Sequence, residues 1–398
     1  MSPLPRGCVQ EERYCVTGQQ LDDMLGVGCF DGQVKLVKAE TGEVCASFQG
    51  HAGEVHCLAL SPNGDSVVSG GADCTTQVWD VGSKAKRFEL RESAVNLSSA
   101  RLASTLVGTN AAVQSVCFSP SGHKVATGSE HGFVRIWSAE TGALQHLIPC
   151  GSSKVRAVAF SSSIAENVLA VGSLDRTVRV WEKVDGWKLA RTLHGNPSKL
   201  SLVFGFSPDL TMVASQCFDG SVMVWESQDG GVVRTIPFTD VKGWALAMAF
   251  SPDGLLLASS TWDRAVRVWS VASGKAVQCL RGHDGEAPCR CRSFGVAHPD
   301  CPVWGHANYV LAVCFSPSSD LLASGGEDRS VKIWHVASGS LLRTLHVRSE
   351  VLSLAFGRDW NSDQARLAAA LALHPRLGGA SRLNALEPEI LRAILSDI

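Results

Sequence analysis

One pattern of apolar and polar positions recurs along the chain, and it is clearest between Leu257 and Trp269. Apolar residues alternate with polar ones up to Ala258, Asp263 opens a polar turn, and a second alternating run ends at the tryptophan. A period of two predicts a half-buried β-strand, and a polar stretch between two such runs predicts a tight turn. We therefore predict a β-hairpin in this segment.

The same hairpin pattern is found in five further places, and each copy ends in a tryptophan. The middle tryptophans are separated by 44 residues, and two irregular intervals measure 58 and 65 residues. A repeat of this length, composed of short strands, is typical of one four-stranded blade. The tryptophans are Trp79, Trp137, Trp181, Trp225, Trp269 and Trp334.

Other motifs surround these hairpins in a fixed order, and with them the chain resembles the WD40-repeat β-propeller family. Gly50-His51 and Gly305-His306 precede a strand, and strands ending in LALSPNG, VCFSPSG and MAFSPDG precede the hairpins. The resemblance implies an all-β propeller over residues 21–356, with insertions near 91–112 and 284–305. Residues 1–20 form an N-terminal segment in this interpretation, and 357–398 form a short helical C-terminal tail.

The number of blades follows from counting strand a, the innermost strand of each blade. It is predicted at seven places, which favours a seven-bladed ring over an eight-bladed alternative. The ring would close by pairing residues 351–356 with the degenerate hairpin at 24–37; the alternative uses 13–18 as the first strand a. The seven ranges are 55–60, 113–118, 155–160, 201–206, 245–250, 310–315 and 351–356.

The resemblance also implies a buried relay of His, Ser, Asp and Trp within a repeat, which fixes the turn because buried polar groups need hydrogen bonds. The chain lacks the G-x-S-x-G elbow of a Ser-His-Asp nucleophile. We therefore interpret the relay as structural and predict no catalytic residue. The complete sets are His51, Ser69, Asp73 and Trp79, and His306, Ser324, Asp328 and Trp334.

A contact surface is predicted where loops of consecutive repeats meet. On propellers of this family, the loops before strand a and between strands b and c share one face. Aromatic side chains are enriched in protein interfaces, so we predict that this face binds a peptide or protein partner; alternatively, each ring packs under a neighbouring loop. The predicted partner-binding residues are Phe218, Trp244, Trp262 and Tyr309, with Glu327 at the rim.

Composition narrows the classes of function. The formal net charge is −2, which does not indicate nucleic acid or an anionic membrane as a partner. The sequence shows no P-loop, H-E-x-x-H motif or paired carboxylates, so we predict no enzyme and no cofactor. Fourteen cysteines without an export signal favour a reducing compartment, and we predict a cytoplasmic protein, with the nucleus as an alternative.

The second insertion carries Cys289, Cys291, His298 and Cys301, with His283 and His306 at its ends. C-x-C followed by H-x2-C matches zinc spacing only loosely. We predict no metal site and interpret this segment as a surface loop with incidental thiols.

The C-terminal segment has helical apolar spacing, and its LEPEILRAIL sequence resembles the opening of an F-box. This supports an alternative function as the substrate-recognition subunit of a ubiquitin ligase, with this helix as the docking element. Against it, no repeat has arginine in the WDxR position that follows the tryptophan. The other interpretation is a helix that docks on the propeller itself.

Overall fold

The computed structural model describes residues 23–91, 111–162, 166–194, 200–217, 221–227, 230–236, 245–261, 263–280 and 306–358. These residues form seven four-stranded antiparallel sheets, and each sheet is one blade with strands a to d in order from the centre outwards. The predicted seven-bladed all-β propeller is confirmed. Across the described ranges, no helix has the length and apolarity needed to cross a membrane.

The blades follow one another along the chain, and blade 1 combines the two ends of the described sequence. Blade 1 consists of β28 (Val351–Arg358), β1 (Asp23–Cys29), β2 (Gln33–Lys38) and β3 (Val44–Gln49). Blade 2 consists of β4 (Val55–Leu60), β5 (Ser66–Gly71), β6 (Thr75–Asp80) and β7 (Ala85–Arg91). Blade 3 consists of β8 (Val113–Phe118), β9 (Lys124–Ser129), β10 (Phe133–Ser138) and β11 (Leu144–Pro149).

The remaining four blades repeat this order. Blade 4 consists of β12 (Val155–Phe160), β13 (Val168–Ser173), β14 (Thr177–Lys183) and β15 (Trp187–His194). Blade 5 consists of β16 (Leu200–Phe206), β17 (Met212–Cys217), β18 (Val222–Glu226) and β19 (Val232–Ile236). Blade 6 consists of β20 (Ala245–Phe250), β21 (Leu256–Thr261), β22 (Val266–Ser270) and β23 (Ala276–Leu280). Blade 7 consists of β24 (Val310–Phe315), β25 (Leu321–Gly326), β26 (Ser330–His335) and β27 (Leu341–His346).

The ring closes in blade 1, where β28 pairs with β1. Leu25 stands opposite Phe356 and Val27 opposite Leu354 in this antiparallel pair. The predicted closure is confirmed, and because β28 and β2 flank β1 on its two sides, the alternative with 13–18 as the first strand a is wrong. Closure pairs the inner strand of the terminal blade, which would otherwise present an open edge.

The hydrophobic core lies between neighbouring blades. Val34, Leu36 and Phe48 of blade 1 form one cluster with Trp79 of blade 2, and the rings of Phe48 and Trp79 lie 5.2 Å apart between centroids. Trp137, Trp181 and Trp334 likewise share a cluster with apolar residues of the preceding blade. Each of these tryptophans therefore joins two blades by removing a large apolar surface from water.

Glycines in strand b set how closely neighbouring blades approach. A Cβ atom added to Gly128 in blade 3 would lie 2.5 Å from Val155 Cγ1 in blade 4, and one added to Gly325 in blade 7 would lie 2.5 Å from Val351 Cγ1 in blade 1. Both junctions thus have the same register. The end of strand b in one blade is held against the start of strand a in the next.

Candidate binding face

The b–c turns and the loops before strand a lie together on one surface, which we call the turn face. In five blades, the residue before the turn donates its backbone N–H to the carbonyl of the residue before strand a, at 2.9–3.1 Å. This bond brings the two loops of a blade together. The donor and acceptor pairs are Phe30 and Glu350, Ala72 and Glu54, Glu130 and Ala112, Leu174 and Lys154, and Glu327 and Tyr309.

The relay residues of blade 2 are hydrogen-bonded in one chain. Trp79 Nε1 donates to Ser69 Oγ at 3.0 Å, and Ser69 Oγ lies 2.8 Å from His51 Nε2. His51 Nδ1 lies 3.0 Å from both carboxylate oxygens of Asp73. This arrangement is satisfied when the serine hydroxyl donates to Nε2 and Nδ1–H donates to the aspartate.

Blade 7 has the same chain of contacts. Trp334 Nε1 donates to Ser324 Oγ at 2.8 Å, and Ser324 Oγ lies 2.7 Å from His306 Nε2. His306 Nδ1 lies 2.8 Å from Asp328 Oδ2. His306, which the sequence also places at one end of the Cys/His insertion, therefore belongs to this relay in the structure.

The turn aspartate of the relay is held as a carboxylate. Burial opposes ionisation of Asp73, but hydrogen bonds from His51, from the Thr75 hydroxyl and from the Ala52 N–H outweigh it, and the pKa of Asp73 falls to about 2. The pKa of Asp328 is lowered in the same way, with burial outweighed by His306 and its neighbours. In blade 2, the Asp73 carboxylate also accepts the backbone N–H of Thr75 at 3.1 Å, and this bond closes the turn.

The relay has the distances of a catalytic triad but not its accessibility. Ser69 is fully buried and His51 is 7% exposed, and Ser324 and His306 are equally enclosed. A nucleophilic serine has to reach its substrate. The Ser69 hydroxyl instead accepts the indole N–H, so this geometry serves to fix the turn.

Blades 4 and 6 hold their turn aspartate by a different partner, which sequence reasoning missed. Arg179 Nη2 lies 2.7 Å from Asp175 Oδ2, and Arg267 Nη2 lies 2.5 Å from Asp263 Oδ2. Both arginines stand four residues after the aspartate, in strand c. The sequence signal was an Asp-x3-Arg spacing in these two hairpins.

The other tryptophans differ in their acceptor. Trp137 donates to Thr127 Oγ1 at 3.1 Å in blade 3, and Trp269 donates to Ser259 Oγ at 3.0 Å in blade 6. In blade 4 the equivalent position is Val171, which has no hydroxyl. Trp181 Nε1 consequently lacks a hydroxyl acceptor, and its indole faces the Cys150 thiol instead.

The predicted partner-binding residues divide into two groups. Tyr309 and Glu327 lie on the turn face, where Tyr309 is 36% exposed and Glu327 is half-buried. Phe218, Trp244 and Trp262 lie outside the described residues. Phe30 of blade 1 precedes its turn aspartate, as Phe218 and Trp262 do in their blades, and it is 48% exposed on this face. That sequence position could have identified Phe30 as a further contact residue.

A polar network crosses the turn face from blade 2 to blade 4. Gln114 Nε2 lies 3.1 Å from His56 Nδ1, and Arg156 Nη1 donates to Gln114 Oε1 at 2.6 Å. Lys154 Nζ forms an ion pair with Glu130 Oε1 at 2.5 Å. The acidic and basic groups of this sector therefore satisfy each other within the protein.

In the part of the chain that the structure describes, no group of three or more His, Cys, Asp or Glu side chains could hold a metal ion. The insertion with Cys289, Cys291, His298 and Cys301 lies outside that part.

Relatives found by sequence similarity match only segments of their own length. Protein tipD of Dictyostelium discoideum is 29% identical over 32% of this chain and 18% of its own. Small ribosomal subunit protein RACK1y of Oryza sativa subsp. japonica is 28% identical over 29% of each chain, and autophagy-related protein 16 of Arabidopsis thaliana is 28% identical over 34% of this chain and 24% of its own. The chain thus spans less than a third of the length of these relatives.

The family model described as "WD domain, G-beta repeat" matches residues 42–80, 100–138, 142–182, 187–226, 233–270 and 274–335. These six segments cover more than half of the chain, and they end in strand c of blades 2 to 7. Together with the seven four-stranded sheets, they show that the chain belongs to the WD40-repeat family.

Proposed function

We propose that the protein is a non-catalytic interaction scaffold that binds a peptide or protein partner on the turn face. The observation that carries this proposal is the pair of exposed aromatic side chains on that face, Phe30 before the b–c turn of blade 1 and Tyr309 before strand a of blade 7. Exposed aromatic rings on a rigid scaffold are typical of protein contact sites. Phe218, Trp244 and Trp262 occupy equivalent sequence positions in blades 5 and 6, and we propose them as further contacts, with Glu327 at the rim.

The burial of the serine hydroxyls in the two described relays supports a binding role over an enzymatic one. Proteins of this family are generally non-catalytic. The two Ser-His-Asp sets are enclosed, and the near-neutral net charge does not favour nucleic acid or a membrane surface as the partner.

The experiment is a partner-recovery assay with Trp244→Ala and Trp262→Ala, singly and together. We expect the double variant to lose the partner that the unsubstituted protein recovers, while its thermal melt stays nearly unchanged. Leu255→Ala is the matched control, because Leu255 is 64% exposed in the a–b turn of blade 6, away from the turn face. Recovery that survives the double substitution would show that the partner binds elsewhere.

A second candidate function, recognition of substrates for a ubiquitin ligase, rests on LEPEILRAIL, which lies outside the described residues. Co-purification of a cullin or its adaptor that is lost on deleting 381–398 would favour it. If no cullin component is recovered with the full chain, this candidate is ruled out.

We also propose that the protein works in the cytoplasm, with the nucleus as the alternative. Eight described cysteines are free thiols, including the buried Cys29 and Cys150, as expected in a reducing compartment. Imaging of a tagged full chain tests this, and a secreted product would contradict it.

A further inference from the structure

Residues of neighbouring blades meet on the turn face in a regular way. The residue before the turn in one blade lies beside the residue before strand a in the next blade, as the ion pair of Glu130 in blade 3 with Lys154 in blade 4 shows. The matching glycine contacts at Gly128 and Gly325 give blades 7 and 1 the same register as blades 3 and 4. The counterparts of Glu130 and Lys154 at the junction of blades 7 and 1 are Glu327 and Glu350.

The junction of blades 7 and 1 therefore holds two carboxylates. The junction of blades 3 and 4 holds a carboxylate and an ammonium group at the same positions. Burial, and then the neighbouring Glu350, raise the pKa of Glu327, which agrees with two like charges placed side by side. Among the described residues, neither glutamate forms an ion pair, although Arg329 and Arg348 lie two residues away in the chain. A cation at this junction would relieve the repulsion, as Lys154 neutralises Glu130.

Two exposed rings stand at the ends of this pair. Tyr309 is bound to Glu327, and Phe30 to Glu350, through the backbone hydrogen bonds of their blades, each 3.0 Å long. The order along the face is thus Tyr309, Glu327, Glu350 and Phe30, which we call the acidic junction. Carboxylates beside aromatic rings suit a lysine or arginine side chain, because charge-assisted hydrogen bonds and the ring faces both favour a cation.

We propose that the acidic junction binds a lysine or arginine side chain of the protein partner. The inference rests on the proposed function, since it names the chemistry of the partner at that face. The sector of blades 2 to 4 should attract a partner's cation more weakly, because its carboxylate Glu130 is already neutralised by Lys154.

The test uses the internal template of blades 3 and 4. Glu350→Lys places a cation opposite Glu327 and recreates the Glu130–Lys154 pair, so the fold should be retained while the position for a partner's cation is filled. The full-length chain, immobilised, is presented with a pooled library of random nine-residue peptides. Glu140→Lys makes the same charge change in the exposed c–d turn of blade 3, on the opposite face, and serves as the control.

We expect the unsubstituted chain and the Glu140→Lys control to select peptides enriched in lysine or arginine, and Glu350→Lys to recover those peptides at least about tenfold less well. The thermal melt of Glu350→Lys should be no lower than that of the unsubstituted chain. Selected peptides without such enrichment, or enrichment that survives Glu350→Lys, overturn the inference and leave the proposed function standing. Selection of no peptide at all counts against both.

Discussion

Arg267 in blade 6 takes the role that His51 has in blade 2. Its Nη2 lies 2.5 Å from Asp263 Oδ2, and its Nη1 donates to the Thr261 hydroxyl at 2.6 Å. The histidine reaches its aspartate from the loop before strand a, whereas the arginine reaches it from strand c, four residues along the same hairpin. Turns with the same backbone course are therefore held by partners from different parts of the blade.

Removing this arginine should destabilise the fold. Arg267 is 5% exposed, and Arg267→Met would leave the Asp263 carboxylate, which is only partly buried, without its cation. We expect a loss of about 2 kcal/mol in the free energy of unfolding, below the usual cost for a fully buried pair because Asp263 retains some solvent contact. Urea denaturation measures it. Arg264→Met provides the control, because Arg264 is exposed, and it should change stability by less than about 0.5 kcal/mol. Equal losses for the two variants would refute the role of Arg267 as the residue that holds Asp263.

The relay of blade 2 should make stability depend on pH. The pKa of Asp73 is about 2 in the folded protein, below the ordinary value of 3.8, so its ionised form stabilises the folded state above the unfolded pKa. That contribution, about 2 kcal/mol at neutral pH, is lost as the pH falls from about 4 towards 2. Thermal melts of the unsubstituted chain and Asp73→Asn should therefore differ at pH 7 and converge near pH 2. A difference that is constant with pH would contradict this.

The tryptophan of blade 4 offers a stabilising substitution. Val171 is fully buried at the position where blade 3 has Thr127, and Trp181 Nε1 lacks the acceptor that Thr127 gives Trp137. Val171→Thr keeps the shape of the side chain and adds that acceptor, so it should be neutral or stabilising by up to about 1 kcal/mol. Val178→Thr, equally buried in the same blade, should instead cost about 1–3 kcal/mol. Chemical denaturation measures the free energy of unfolding of both variants. Equal losses would show that Trp181 gains nothing from a hydroxyl acceptor at position 171.

The ring itself was predictable because its signals are local. Strand a was predicted within two residues at every blade, since short apolar runs mark it and a Ser-Pro turn follows it in blades 2, 3, 5, 6 and 7. Ring closure needed one more step, pairing residues 351–356 with the N-terminal hairpin, and it followed from counting strands that lacked a partner.

The contacts between blades were not predictable in the same way. Whether Glu130 meets Lys154, or Glu327 meets Glu350, depends on the register between strands of different sheets. The Arg267–Asp263 pair is different, because its Asp-x3-Arg spacing lies within one hairpin and is visible in the sequence. Sequence positions identified the residues of the turn face, and only the assembled ring shows which of them are neighbours.

The two acidic groups Glu327 and Glu130 should respond to neutralisation in opposite ways. The pKa of Glu327 is raised by burial and by Glu350, so its ionisation disfavours the folded state and stability falls as the pH rises through its folded pKa. Glu327→Gln should therefore raise the free energy of unfolding at pH 7 by less than about 1 kcal/mol, which thermal melts detect as a higher melting temperature. This gain should vanish below about pH 4. Glu130→Gln removes the partner of Lys154 and should give no such gain. If both variants melt alike at pH 7, Glu327 and Glu350 do not repel each other in the folded protein.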